Sequence, residues 1–260
     1  MRLMQTPSGT FRTTIAVPRA WLARCGSGGR SHDLAPQDRP ETDCPPWKPR
    51  GPHGRSNSMN ETRPLTDDEY YRLLAAFRGR MKLRDRCMAV MIRRGGFRIS
   101  ELLCLTLGDV VDQGQVLPVI YIAKRHTKRK RAGYRRDLHW EAREALTEWI
   151  DVLFEAGWQT REVCLFHSLG RVNRPISRQH AWKVINRAAK RWDGARLAGP
   201  IGPHSLRKSW GCDIFEASGK NLRAAQEALR HTSPETTSRY LPIASEELSR
   251  LILGQAARKR

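Results

Sequence analysis

Apolar residues recur at helical spacing along most of the chain from residue 64 onward. The first helix has a defined start, because Thr66 followed three residues later by Glu69 is a capping-box pattern just ahead of Tyr70. One short helix near the end follows Ser233, a capping residue, and carries Tyr240. The other apolar stripes, with their caps and breaks, predict helices over residues 83–93, 99–105, 141–154, 178–190, 204–217, 221–230 and 243–257.

Between the predicted helices at 99–105 and 141–154 the apolar period changes to that of a strand. The β-branched and aromatic run 119–123 predicts one strand, and residues 134–138 predict its return after a turn at Gly133. The tip between them, residues 124–131, is almost wholly cationic. We therefore predict an antiparallel hairpin with a basic tip, and a loop later in the chain over residues 170–175.

The start of the chain shows no such periodicity. Apolar positions lose any period after Leu22, and the prolines between residues 45 and 52 exclude a helix there. A segment with so little apolar surface does not gain enough free energy from burial to offset the entropy lost on ordering. We therefore predict a disordered extension over residues 1–58. Residues 59–260 are predicted to form one domain that is mainly α with a small antiparallel β-sheet, an α+β fold.

The charge balance changes the picture from a generic helical domain to a polyanion-binding one. The 260 residues carry a formal net charge of +21. Lys and Arg that replace phosphate counterions add affinity, so this charge favours nucleic acid as a partner. A basic ribosomal-type protein and a cationic patch at a membrane surface are the alternatives. The extension is then either non-native, with Met59 as the true start, or a native basic arm that contacts DNA phosphates.

Cysteine spacing and hydropathy indicate the cellular compartment in which the protein is expected. The six cysteines include no C-x-x-C pair, so neither a disulfide framework nor a zinc site is expected. No apolar run is long enough to span a bilayer, and the first residues lack the apolar core of a secretory signal. We therefore expect a cytoplasmic protein that does not engage a membrane.

Three stretches of the periodic part hold side chains suited to chemistry. Arg98 follows two glycines, His204 and Arg207 lie three apart on one helix face, and His231 precedes Tyr240 by nine residues. Each feature alone has a plainer explanation: a surface ion pair, a basic helix start, a histidine at a helix end, a half-buried tyrosine. It is their order and spacing that carry information.

Taken together, these stretches resemble the tyrosine recombinase family, the phage integrases and Xer-type recombinases. The family pattern is G-x-R-x-S-E, a lysine in a β-hairpin, H-x-L-R, a His or Trp, and a tyrosine about nine residues on. The resemblance covers residues 64–241 and implies the family's catalytic-domain fold. The positions that match are Arg98, Lys128, His204, Arg207, His231 and Tyr240.

The resemblance implies that Tyr240 attacks a DNA phosphodiester, becomes joined to the 3′ phosphate and releases a 5′ hydroxyl. Arg98 and Arg207 would hold the phosphoryl oxygens, since two guanidinium groups bind them bidentately where lysine does not. His231 would donate a further hydrogen bond to the phosphate. His204 would assist proton transfer at the tyrosine oxygen.

The hairpin would supply the remaining groups. Lys128 is expected to protonate the departing 5′ oxygen, with Lys124 as the alternative. Arg125, Arg129, Lys130 and Arg131, together with Lys124, are the expected DNA contacts. Carboxylates with metal-ligand spacing are missing from the sequence, and the phosphotyrosine bond conserves the phosphodiester energy, so we expect neither a metal nor a nucleotide cofactor.

The resemblance also implies partners and leaves alternatives open. Family members assemble as tetramers on two DNA duplexes, and the helix at 243–257 would dock onto a neighbouring protomer. The separate DNA-binding domain usual in the family has no counterpart in residues 1–58, so an accessory DNA-binding protein is an option. The alternatives are a topoisomerase IB-like or telomere-resolvase-like enzyme without strand exchange, and a non-catalytic DNA-binding regulator. Arg230 stands where the family often has glycine.

Overall fold

The structure, a computed structural model, describes residues 62–127, 132–193 and 200–231. The extension at 1–58, the helix at 243–257 and the predicted site residues Lys128, Arg129, Lys130, Arg131 and Tyr240 lie outside the described residues. The elements follow in the order α1 (Asp67–Ala76), α2 (Lys82–Gly95), α3 (Ile99–Leu102), α4 (Leu107–Val110), β1 (Val111–Asp112), β2 (Gln115–Val116), β3 (Val119–Ile122), β4 (Tyr134–Asp137), α5 (Trp140–Glu155), β5 (His167–Ser168), β6 (Arg171–Pro175), α6 (Arg178–Asp193), α7 (Pro203–Ala217) and α8 (Leu222–Leu229).

Local sequence signals set several helix starts as predicted. The Thr66 hydroxyl accepts a hydrogen bond from the Glu69 backbone N–H, and the Glu69 carboxylate accepts one from the Thr66 N–H, so the capping box opens α1. The Ser177 hydroxyl accepts from the His180 N–H at 3.0 Å at the start of α6. The element order and the strand pairing confirm the predicted, mainly helical fold with small antiparallel sheets.

The strands form antiparallel pairs, and the predicted hairpin is one of them. β3 pairs with β4 in a register that sets Val119 opposite Asp137 and Ile122 opposite Tyr134. Two further pairs, β1 with β2 and β5 with β6, were not predicted. The predicted loop over residues 170–175 is wrong, because β6 occupies most of it and pairs with β5. Strands this short and polar carry no alternation that a sequence reading detects.

The third helix is shorter than predicted, since α3 ends at Leu102 rather than at residue 105. Backbone groups beyond α3 form hydrogen bonds with a segment that is distant in sequence. The Leu105 carbonyl accepts from the Leu165 N–H at 2.9 Å, and the Leu107 N–H donates to the Val163 carbonyl at 2.9 Å. These long-range hydrogen bonds engage backbone groups just beyond the turn that follows α3, so the chain does not continue there as a helix.

α2 runs through the centre of the domain and packs against α5 and α7. Its Arg93 side chain is fully buried and pairs with Asp67 of α1 and Asp213 of α7, which ties the three helices together. α8 packs onto α7 through Leu229, and a Cβ on Gly211 would lie 2.8 Å from a Leu229 methyl group. This close approach brings the end of α8 next to α3, where the candidate site lies. No helix within the described ranges is both long and apolar enough to cross a bilayer.

Candidate active site

Arg98 is held at the start of α3 by contacts on two sides. Its Nη1 donates to Glu101 Oε1 at 3.0 Å, and its backbone N–H donates to Glu101 Oε2 at 3.2 Å. On the other side, Nη2 donates to the carbonyl oxygens of Leu229 at 3.2 Å and Arg230 at 2.8 Å. The guanidinium therefore bridges α3 and the C-terminal end of α8.

Glu101 is the buried counter-charge of this arrangement. The side chain is fully buried, and its Oε2 also accepts a hydrogen bond from the Tyr134 hydroxyl at 2.9 Å. The carboxylate thus orients Arg98 while it joins α3 to strand β4.

Arg207 reaches the same place from α7. Its Nη1 donates to the carbonyl of Gly96, the residue with a φ of +62° that ends α2, and its Nη2 donates to the carbonyl of Leu229. Burial, and next the neighbouring Arg98 cation, lower the pKa of Arg207 to about 9. The guanidinium therefore remains protonated at neutral pH. A Cβ on Gly96 would overlap the Trp210 ring, so the turn that presents this carbonyl requires glycine.

His204 lies in the first turn of α7, after Pro203 at the first helical position. The residue is exposed, three positions before the buried Arg207. Desolvation on its packed side, and then the Arg207 and Lys208 cations, lower the pKa of His204 below its ordinary value of 6.5. The imidazole is therefore neutral at pH 7 and able to accept a proton.

His231 follows the end of α8 directly. The Arg230 N–H donates to the Glu227 carbonyl at 2.9 Å, and the His231 N–H donates to the Gln226 carbonyl at 3.1 Å. This pair of hydrogen bonds is a Schellman motif, with Arg230 at the left-handed position, φ +50°. The motif places His231 one residue beyond the carbonyls that accept from Arg98.

A third arginine contacts the end of α8, and the sequence analysis did not predict it as a site residue. Arg136 of β4 donates from Nη2 to the Ala228 carbonyl at 3.2 Å, and its guanidinium lies 4.9 Å from the Trp210 ring centroid. The available signal was the alternation along β4, in which Tyr134 and Arg136 share a face. The predicted strand therefore already implied that an arginine turns toward the site.

Of the predicted DNA contacts on the hairpin, the structure describes two, and both face solvent. Lys124 and Arg125 are exposed on a 3₁₀ turn after β3, and Arg125 Nε donates to the ring of His126 at 3.0 Å. Whether Lys128 and Tyr240 reach the arginines is a prediction that falls outside the described residues. In the described part of the chain, no group of three His, Cys, Asp or Glu side chains is placed to hold a metal ion.

The described groups define what the site is able to bind. Two guanidinium groups share one carbonyl acceptor, a third lies alongside, and a single buried carboxylate offsets them. An anion with several oxygens at one centre, such as a phosphodiester, matches that excess of positive charge and donors.

Comparison with known families gives a match for residues 63–247, well over half of the chain, to the profile described as the phage integrase family. Among curated relatives, the tyrosine recombinase XerD of Corynebacterium glutamicum is 31% identical over 172 residues, 66% of this chain and 52% of that protein. XerD of Xanthomonas axonopodis pv. citri is 29% identical over 264 residues, 96% of this chain and 76% of that protein. The chain thus spans about half the length of the first of these relatives.

Solved structures give the same fold. XerA recombinase superposes with a TM-score of 0.58 at 22% identity, over 78% of this chain and 66% of that one. XerH bound to palindromic difH substrate, in a post-cleavage complex, also gives 0.58 at 22% identity, over 76% of this chain and 53% of that one. At these identities the likeness establishes the fold alone.

Proposed function

The chain belongs to the phage integrase family, and on that premise we propose that it is a site-specific DNA recombinase that cleaves and rejoins DNA through a 3′-phosphotyrosyl intermediate. The observation that carries the proposal is the convergence of Arg98 and Arg207 on the Leu229 carbonyl, two residues before His231. Residues about 110 positions apart in the chain thereby present their cations at one point. A phosphodiester placed there would meet both guanidinium groups, which stabilise the charge that develops on its oxygens.

Each chemical step is assigned to one residue of the predicted site, and the structure describes His204 and His231 among them. Tyr240 attacks phosphorus, forms the tyrosine–phosphate bond and breaks the bond to the 5′ oxygen. His204, neutral at pH 7, accepts the tyrosine proton. Lys128 donates a proton to the departing 5′ oxygen, and His231 hydrogen-bonds the phosphate. Attack by a 5′ hydroxyl of another strand reverses the step and exchanges strands.

Double-stranded DNA is the proposed substrate. The net charge of +21 and the exposed Lys124 and Arg125 support it, with Arg129, Lys130 and Arg131 as further contacts from the hairpin tip. α6 adds a second cationic surface, because three of its exposed cations repeat at i, i+4 and i+7 and so share a face: Lys183, Arg187 and Lys190. XerH, a structural neighbour, was crystallised bound to palindromic difH substrate.

Assembly and location follow from the same proposal. A tetramer on two duplexes, joined by the segment at 243–257, would allow strand exchange, and an accessory DNA-binding protein is a further proposed partner. The proposed cytoplasmic location rests on the cysteine spacing in the sequence, which predicts no disulfide framework.

The test starts from the DNA that the chain attacks. DNA covalently joined to the protein is recovered from cells, sequenced and rebuilt as a duplex nicked beside the scissile phosphate, so that the intermediate is trapped. The native chain should form a 3′ adduct, whereas Tyr240→Phe should bind the duplex and form none. An adduct from Tyr240→Phe would remove the tyrosine from its role, and recombinant joints between two duplexes separate a recombinase from an enzyme that only cleaves and rejoins.

A further inference from the structure

Arg230 stands at a helix end where glycine is usual, and its side chain makes specific contacts. An L-residue in the left-handed conformation carries a steric cost that glycine does not. The Arg230 guanidinium lies 4.0 Å from the Tyr134 ring centroid, and its Nη2 donates to the Ala132 carbonyl at 3.2 Å. The residue therefore fastens the end of α8 to the loop end of the β3–β4 hairpin.

These contacts close a ring that starts and ends at Arg230. The Tyr134 ring beneath the guanidinium carries a hydroxyl that donates to Glu101, and Glu101 holds Arg98 Nη1 at 3.0 Å. Arg98 Nη2 in turn donates to the Arg230 carbonyl at 2.8 Å. The side chain of Arg230 is thus connected to Arg98 through Tyr134 and Glu101, and its backbone carbonyl contacts Arg98 directly.

We propose that Arg230 is a positioning residue, which fixes the Arg98 guanidinium for phosphate through Tyr134 and Glu101. The inference rests on the proposed DNA cleavage and deepens it, because it adds a residue that glycine-bearing relatives would lack. The cation above the ring orients Tyr134, since a guanidinium binds an aromatic face at this distance. The oriented hydroxyl then holds the carboxylate in the one geometry that serves Arg98.

The first test compares cleavage rates at saturating DNA, using the recovered sequence as a nicked duplex. Arg230→Gly suits the left-handed helix end, so the backbone is preserved while the side chain is lost. It should form adduct about tenfold more slowly, because small misplacement of a phosphate-binding group is costly. Tyr134→Phe, which keeps the ring and loses the hydroxyl, should be similarly slow, and the double variant no slower than the slower single one.

A change of substrate separates positioning from general loss of structure. A methylphosphonate at the scissile position removes the charged oxygen that Arg98 would neutralise. The deficit of Arg230→Gly should therefore shrink to less than about threefold on that substrate, since charge stabilisation no longer limits the rate. Arg223→Ala, which removes an exposed arginine from the same helix, should cleave both substrates at the native rate.

A second measurement needs no cleavage. Phenylglyoxal modifies accessible guanidinium groups, and mass spectrometry reports the rate for each arginine. Arg98 should be modified several-fold faster in Arg230→Gly than in the native chain, while the exposed Arg72 reacts at the same rate in both. An unchanged Arg98 rate, or an equal deficit on both substrates, overturns the inference. If the native chain forms no adduct, the proposed function fails, and the Arg98 modification rate still decides the role of Arg230.

Discussion

Arg98 and Arg207 donate to the same acceptor, the carbonyl oxygen of Leu229. Two cations this close repel each other, and their proximity needs a compensating negative group. The fully buried Glu101 provides it, since its carboxylate holds Arg98 at 3.0 Å. The partial negative charge at the C-terminal end of α8 adds to the compensation.

Glu101→Gln should therefore destabilise the fold although the shape of the side chain is kept. The amide leaves the paired cations without their buried counter-charge, and such a loss costs on the order of 3 kcal/mol. Urea unfolding measures the free energy of unfolding directly. Glu162→Gln, an exposed position, is the control and should change it by less than about 0.5 kcal/mol. Equal stability of the two variants would mean that Glu101 is not the counter-charge.

Gly96→Ala should damage both the fold and the site. The residue has a φ of +62°, and an added Cβ would overlap the Trp210 ring. Gly79→Ala is a matched control, because Gly79 has a φ of +91° and nothing within 4 Å of the added Cβ. The control should lose about 1–2 kcal/mol for its backbone alone.

Gly96→Ala should lose clearly more than that control in urea unfolding, because the ring has to move. It should also bind phosphate DNA more weakly, since the Gly96 carbonyl that holds Arg207 would shift. A loss of stability no larger than that of Gly79→Ala would show that Trp210 gives way without strain.

Local signals predicted the helices well, and long-range contacts account for what they missed. The capping pattern of Thr66 and the hydroxyl of Ser177 lie within three residues of the N–H groups they satisfy, so sequence alone locates them. The β5–β6 pair has no such local signature, and neither has the early end of α3, where distant chain takes the Leu105 carbonyl.

The same distinction applies to the site. The family resemblance, which rests on the order and spacing of motifs, predicted that Arg98 and Arg207 lie in one site. It did not predict that they share an acceptor. That acceptor depends on how closely α8 packs against Gly211 of α7, a property of two helices in space. The side-chain contacts of Arg230 depend on tertiary packing in the same way.

Acid should destabilise the protein through His167. This fully buried imidazole lies between the Trp149 and Trp158 rings, at 5.8 and 4.7 Å between ring centroids. Desolvation lowers the pKa of His167 below its ordinary value of 6.5, and the Arg84 cation lowers it further against the effect of the Ser168 carbonyl. Between the lowered folded pKa and 6.5 the unfolded chain binds more protons, so stability falls as the pH falls through that range.

The measurement is the thermal midpoint between pH 7.5 and pH 5. His167→Phe cannot titrate and keeps an aromatic ring between the two tryptophans, so its midpoint should fall less steeply over that range. An unchanged slope would assign the acid sensitivity to the other histidines whose pKa is lowered by desolvation. These are His126, His180 and His204.

A change of leaving group in the substrate identifies which hairpin lysine is the general acid. If Lys128 protonates the departing 5′ oxygen, Lys128→Ala should slow adduct formation on ordinary DNA by about 10²-fold or more. A substrate with sulfur at the 5′ bridging position has a leaving group that needs no acid, so the same variant should cleave it close to the native rate. Lys124→Ala, on the exposed turn that precedes Lys128, is the matched control and, at saturating DNA, should show neither the loss nor the rescue. Rescue of Lys124→Ala by sulfur, with Lys128→Ala unaffected, would transfer the role of general acid to Lys124.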